Sequence, residues 1–244
     1  MILKIHLYLM SGDINIINIK LDKLKKSEKE IIAKLKEYIK YIKSIPGVNQ
    51  LIYDYEHKNI NEYNMNFIKK SNIIKNINDF YFIYEALYKK LNKNNLKLIQ
   101  KYNALIDGDT VKNFHLKCDN IGPNLSIVKT KENLIFGGFT MKNWSGDKIN
   151  KKDNLSFVFN FQNKKIHEIK HEQFAIWCGN SSSINFFCGK GLSTLVLTDN
   201  CLNHNCNNTC PLADSAFMNF TFDYELNNGK QNFSVSEFEV YEIN

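Results

Sequence analysis

Three sets of side chains in this 244-residue sequence have the types and spacing to do chemistry. Cys201, His204, Cys206 and Cys210 bring three thiols and an imidazole within ten residues, a soft ligand set that suits zinc. The spacing is not a paired CxxC, and four ligands crowded into one short loop are awkward to arrange around one ion. The sequence therefore favours a polar surface loop with reduced thiols, and no metal or cofactor. His115 and Cys118 are three apart and could share one side of a short helix. A Cys–His nucleophile also needs hydrogen-bond geometry and an orienting third group, which spacing alone does not supply. Glu237, Glu239 and Glu242 are the candidate acids, Glu239 first among them. A single carboxylate with no partner of contrasting pKa is thin material for acid–base catalysis. The expected reading is outward-facing carboxylates on an edge strand. No P-loop, dinucleotide fingerprint, HExxH or GxSxG is present, and Gly189-Lys190-Gly191 lacks the spacing of a phosphate loop.

The stretch that must position such residues runs from Asp107 to Trp144. Asp107-Gly108-Asp109-Thr110 has turn and cap composition, since Asp and Thr side chains accept from nearby backbone N–H groups. Val111, Phe114 and Leu116 or Cys118 then predict a short helix with one buried side. Asp119 to Pro123 predicts a turn. Leu125, Ile127 and Val128 predict a strand, Lys129 to Asn133 a hairpin connector, and Leu134 to Phe136 the returning strand. Gly137-Gly138 is expected to end that strand, where the backbone needs freedom or another segment approaches closely.

That order, with Asp107-Gly108, Phe114-His115, Lys117-Cys118-Asp119, Gly122-Pro123, the 125–129 strand, Phe136-Gly137-Gly138-Phe139-Thr140 and Trp144, resembles the TLDc family. The likeness continues through Phe157–Phe161, Ala175-Ile176-Trp177-Cys178, Thr198-Asp199-Asn200-Cys201 and the ending Phe233 to Ile243, with Glu239 in the closing motif. It implies two packed antiparallel sheets flanked by helices. It also implies a cytosolic protein linked to protection against oxidative damage, which binds the vacuolar proton-pumping ATPase, with peripheral placement at vacuolar or endolysosomal membranes. His115 and Cys118 fall where the family has packing and capping positions, and an enzymatic role has been suggested for the domain. The chain departs from the family between Cys178 and Asp199. A glycine-rich loop and a His-Asp strand are replaced there by Ser183 to Gly191 and Leu192 to Leu197, which puts any activity carried by that loop in doubt.

The flanking chain fits an α+β antiparallel β-sandwich, preceded by a mainly helical, lysine-rich N-terminal region. Phe157, Phe159 and Phe161 alternate as a strand, Lys164 to Glu172 reads as a connector, and Phe174–Cys178 as another strand. Asn180 to Ser183 reads as a loop, Leu192 to Thr198 as a strand, and Asp199 to Pro211 as a loop. Phe233 to Ile243 alternates with a bend near Ser236. Upstream, residues 3–21 predict a hairpin. Ser27 with Glu30 predicts a capping box, opening a helix striped by Ile31, Leu35, Tyr38 and Ile42. Asn78 or Asp79 caps a second helix carrying Phe80, Ile83, Leu87 and Leu91. Asn92 to Asn95 reads as a linker, which divides the chain into 1–95 and 96–244.

All 32 basic residues are lysine. Lysine lacks the planar fork that reads phosphates or guanine in pairs, which argues against specific nucleic-acid recognition. Residues 1–95 hold 17 Lys against 10 acidic groups, and the rest 15 against 15, so the formal +7 sits entirely in the N-terminal part. That face suits an acidic protein or an anionic membrane surface, or is simply a solvated helical face. No stretch approaches the length of a membrane span, and the start lacks the basic leader of a signal peptide. Three functions follow: a non-enzymatic interaction module, a thiol- or glutamate-dependent enzyme, and an anionic-surface binder.

Overall fold

A computed structural model describes residues 22–41, 62–93, 96–187, 193–203, 207–209 and 215–244. The chain forms two compact units, 1–59 and 60–244. In the first, residues 22–41 are one helix, α1. It begins ahead of Ser27, so the predicted capping box lies inside the helix and does not start it. The hairpin expected over residues 3–21 falls outside the described residues.

The second unit is α+β with two antiparallel sheets. Helices α2 (Glu62–Lys70) and α3 (Ile77–Leu91) come first. Asn76, and not Asn78 or Asp79, caps α3: its side chain accepts from the Asp79 N–H at 2.8 Å, and Asn92 closes the helix at φ +47°. Strand β1 (Leu98–Asn103), the turn α4 (Ala104–Asp107) and helix α5 (Val111–Cys118) follow. Strands β2 (Asn124–Thr130), β3 (Ile135–Thr140), β4 (Ile149–Lys151), β5 (Phe157–Asn160) and β6 (Lys165–Glu168) come next. Then come β7 (Ile176–Cys178), β8 (Ser182–Phe187), β9 (Ser193–Thr198), β10 (Asn207–Thr209), β11 (Asn232–Phe233) and β12 (Val235–Ile243). One sheet has the order β1-β12-β2-β3-β5-β6, the other β11-β10-β9-β8-β7-β4.

The first sheet is buried on both faces. Val128, Phe136, Val158, Phe238 and Val240 meet Ile176, Ile184, Phe186, Leu195 and Leu197 of the second sheet, forming the sandwich core. The opposite face, with Leu125, Ile127, Phe139, Phe157, Phe159 and Tyr241, is covered by Phe67, Phe80, Ile83, Tyr84 and Leu87 of α2 and α3. Alternation along a strand separates two faces but does not say that one is wet. The architecture is helix layer, sheet, sheet. The helices of residues 62–91 thus share a core with the strands, although their charge and composition resemble the segment before them.

Gly137 and Gly138 do not end β3, which stays paired through them to Thr140 inside this double burial. A Cβ on Gly137 would lie 2.0 Å from the Ser126 carbonyl oxygen, and one on Gly138 would lie 2.4 Å from the Phe186 ring. Close approach, on opposite faces, is what these two glycines permit.

Three further local readings differ from the structure, and one strand has no reading at all. Residues 165–168 are an edge strand, β6, and not part of a connector. Ser182 and Ser183 open β8 instead of lying in a loop, and residues 207–209 form β10. β1, with the sequence LIQKYN, carries no clean alternation and escapes sequence reading. Polar side chains hide each of these from a periodicity test. The bend expected near Ser236 is a register shift between Val235 and Glu237.

Candidate functional site

The residues singled out in the sequence gather into two regions of the second unit, on either side of the first sheet. The first is the α4–α5 corner. Asp107 accepts from the Asn103 N–H at 2.9 Å and pairs with Lys117 at 3.0 Å. Gly108 has φ +87° and its carbonyl accepts from the Tyr102 hydroxyl at 2.7 Å, a backbone conformation that favours glycine. Thr110 caps α5 through the Asn113 N–H at 3.2 Å. Asp199, from the turn after β9, accepts from the Val111 N–H at 2.7 Å, placing an anion on the helix N-terminus. Asp109 reciprocates, accepting from the Leu202 N–H at 3.1 Å and the Asn203 amide at 3.2 Å. Two turns ninety residues apart are thus tied by two carboxylates, of which sequence reasoning singled out only Asp199.

Phe114 and Trp144 sit beneath this corner. Phe114 meets Tyr102, Phe238 and Trp144 at ring separations of 5.7, 6.0 and 6.1 Å. The Trp144 indole N–H donates to Asn124 at 2.8 Å, and the Asn124 amide donates on to Ile121 O and Lys142 O. A buried indole is tolerated because its one donor is satisfied.

His115 and Cys118 share α5 but not an interaction. His115 Nδ1 lies 2.7 Å from Asp119 and Nε2 lies 3.0 Å from Gly179 O, so both ring nitrogens are engaged elsewhere. Cys118 is fully buried in the sandwich core. Burial, then the charges of Asp119 and Asp107, push its thiol well above the usual range, the wrong direction for a nucleophile.

Among the proposed zinc ligands, Cys201 is also fully buried, its thiol pushed up to about 12 by burial and then Asp109. Asn207 and Thr209 are buried too, Asn207 donating to Cys201 O at 3.1 Å, while Asp199 and Asn203 of the turn are exposed, so the segment turns its thiol and short strand inward beneath a polar outer edge. His204, Cys206 and Cys210 fall outside the described residues. Among those described, no group of three metal-capable side chains converges.

The second region is centred on Glu239. The expected exposed edge strand is corrected here: β12 is flanked by β1 and β2, and Glu239 is fully buried on the face that meets the helices. It accepts from Ser71 Oγ at 2.7 Å, from the Asn72 N–H at 2.7 Å and from the Tyr241 hydroxyl at 2.6 Å. Ser71 Oγ also accepts from the Ile73 and Ile74 N–H groups, turning the chain between α2 and α3. Burial, then Glu239, push the Tyr241 phenol well above its ordinary value, so it stays a donor. Three protein donors hold this carboxylate in place within the fold. Glu237 and Glu242 are half-buried, pairing with Lys129 at 2.9 Å and Lys101 at 3.0 Å. Ser71, Asn72 and Tyr241 have no signal in the local sequence that would attach them to Glu239.

A third cluster lies away from every residue singled out. Glu225 is buried and takes Lys165 Nζ at 2.9 Å and the Thr221 N–H at 2.5 Å. Burial alone would raise its carboxyl; Lys165 and Thr221 hold it below the usual range. His167 beside it is fully buried and stacked on Phe220 at 3.8 Å. Neither ring nitrogen makes a well-formed hydrogen bond, with only a weak approach from the Met218 backbone. Desolvation lowers its pKa to about 4, against the pull of Glu225.

No helix among the described residues is long and apolar enough to cross a membrane. A search of curated proteins finds no match. A family profile described as the TLDc domain matches residues 68–244, from the end of α2 through the last strand. With that match over well more than half its length, and two antiparallel sheets carrying the Asp107–Trp144 pattern, the chain belongs to the TLDc family.

Proposed function

We propose that this protein is a non-enzymatic interaction module that acts in protection against oxidative damage and regulates the vacuolar proton-pumping ATPase by direct binding. The observation that carries this reading is how the residues of the family pattern are used. Asp107, Gly108 and Asp199 build a corner, together with the helix cap Thr110. Cys118 and Trp144 fill the core, and Glu239 locks a helix layer to a central strand. Among the described residues, the candidate acid Glu239 and base His115 are each tied to protein partners, and the candidate nucleophile Cys118 is buried. A rigid corner on a closed sandwich is a suitable platform for recognition, since sites are precise when their supports are locked. The vacuolar ATPase as partner, and the protective role, rest on family membership.

Glu239→Gln tests the reading, because it keeps shape while removing charge. The variant should fold, should still co-elute with the purified peripheral sector of the vacuolar ATPase on gel filtration, and should still protect peroxide-treated cells. A folded variant with intact partner binding but no protection would refute the module and favour a glutamate-dependent enzyme.

A further inference from the structure

The observation is helix α1. Every residue from 22 to 41 is exposed, including Leu24, Ile31, Ile32, Leu35, Tyr38 and Ile39, whose exposures run from 42% to 67%. Single exposed apolar residues need no explanation, but these six do not scatter. At 3.6 residues per turn they fall within one arc of about 120°. Seven lysines and four acidic residues share the same twenty positions, leaving +3. The lysines stand on both shoulders of the arc, Lys25, Lys29 and Lys36 on one side and Lys23 and Lys34 on the other. Glu28 is the one charge inside the arc, one turn from its start, and the apolar run from Ile31 to Ile39 continues past it.

We propose that α1 is a docking helix for an anionic lipid surface, lying in the interface with its apolar arc down and its shoulder lysines reaching the headgroups. An apolar arc edged by long cationic side chains is the pattern of such helices, because lysine stems cover hydrocarbon while the ammonium stays wet. The charge is entirely lysine. A compact point charge suits the diffuse negative potential of a leaflet, whereas paired carboxylates of an acidic protein are best met by the guanidinium fork this chain lacks. A second copy fits less well. In a coiled-coil register with Leu24, Ile31 and Tyr38 at one seam position, Glu28 occupies the other. The flanking positions then carry Lys25 and Lys34 with Ile32 and Ile39, so no acidic residue is available to pair across a dimer.

The test uses the full chain and vesicle co-sedimentation, comparing phosphatidylcholine alone with phosphatidylcholine carrying about a third phosphatidylserine at low salt. Binding to the anionic vesicles should exceed binding to the neutral ones at least ~10-fold, and should weaken as salt rises. Ile31→Glu with Leu35→Glu should abolish it. Lys29→Glu with Lys36→Glu, which leaves the apolar arc intact, should cut it ~10-fold or more. Both variants should keep the wild-type circular dichroism and melting transition. Equal binding to neutral and anionic vesicles, or none to either, overturns the proposal. So does a chain that sediments as a dimer dissolved by the Ile31/Leu35 pair without vesicle binding, which would give the arc to a second copy. Tighter capture by poly-glutamate than by anionic vesicles would overturn it in favour of an acidic protein.

Discussion

The Ser71 hydroxyl donates to Glu239 Oε2 across 2.7 Å, joining the turn between α2 and α3 to the central strand β12 over 168 positions of sequence. The neighbouring Asn72 N–H takes the other carboxylate oxygen at 2.7 Å, and Tyr241 approaches from two residues along the strand. One side chain thereby pins the helix layer onto the sheet. Such a network sets the register of α2 and α3 against β12, because any shift along the strand would leave a buried carboxylate and a backbone N–H without partners.

Glu239→Ala is expected to destabilise the second unit by about 3 kcal/mol, since two buried donors and one half-buried donor lose their acceptor together. Glu239→Gln keeps one acceptor oxygen and should cost about 1 kcal/mol. Urea unfolding of both variants checks the ranking. Equal costs would mean that packing, and not the hydrogen bonds, sets the effect.

Alanine at Gly137 and Gly138 should behave differently. At Gly137 the new methyl meets the Ser126 carbonyl of the paired strand, which cannot move without breaking the ladder. At Gly138 it meets the tip of the Phe186 ring. Gly137→Ala should lose ~4 kcal/mol or fail to fold. Gly138→Ala should be partly rescued by Phe186→Leu, a coupling of about 1 kcal/mol or more in a double-mutant cycle. Melting temperatures of the three single and two double variants give the answer, and rescue of Gly137→Ala by the same change would contradict the geometry.

Acid should weaken the fold through His167. Its folded pKa, about 4, lies below the 6.5 of an unfolded histidine, so the unfolded chain binds more protons between those values. Stability from this group is complete above pH ~6.5 and falls as pH drops toward 4, by on the order of 3 kcal/mol. Glu225, held below its ordinary range, adds a second loss at lower pH, as its carboxylate protonates and releases Lys165 and Thr221. His167→Phe keeps a flat ring against Phe220 and removes the titration, so its unfolding free energy should change less between pH 7 and pH 5 than that of the wild type. An identical slope in both would rule out His167 as the source.

The boundary of the folding unit can be tested by truncation. A fragment starting at Ile60 keeps α2 and α3 and should unfold cooperatively in urea. One starting at Leu96 uncovers Leu125, Ile127, Phe139, Phe157 and Phe159 together. It should bind a hydrophobic dye and precipitate, since an uncovered sheet face of that size is an aggregation surface. A soluble, cooperatively folding fragment from Leu96 would place the boundary at the linker near Asn92 instead.

Local chemistry made much of this protein legible from its residues alone. Turn and cap positions at Asp107 to Thr110, the short helix from Val111, the hairpin through Lys129 to Asn133, the paired glycines and the bend near Ser236 all follow from backbone preference and two-residue periodicity. They depend on neighbours a few positions away, which the sequence displays directly. The tertiary structure alone decided which faces are covered and by what. Alternation in Phe157 to Phe161 shows that the strand has two faces, but only the docking of α2 and α3 makes both of them interior. Glu239 is the same case in a single residue. Its strand pattern is compatible with water or with protein, and the choice was made by Ser71 and Asn72, whose distance along the chain carries no local signal. Burial of a charge is affordable only where distant donors converge on it, and that convergence is a property of the folded chain.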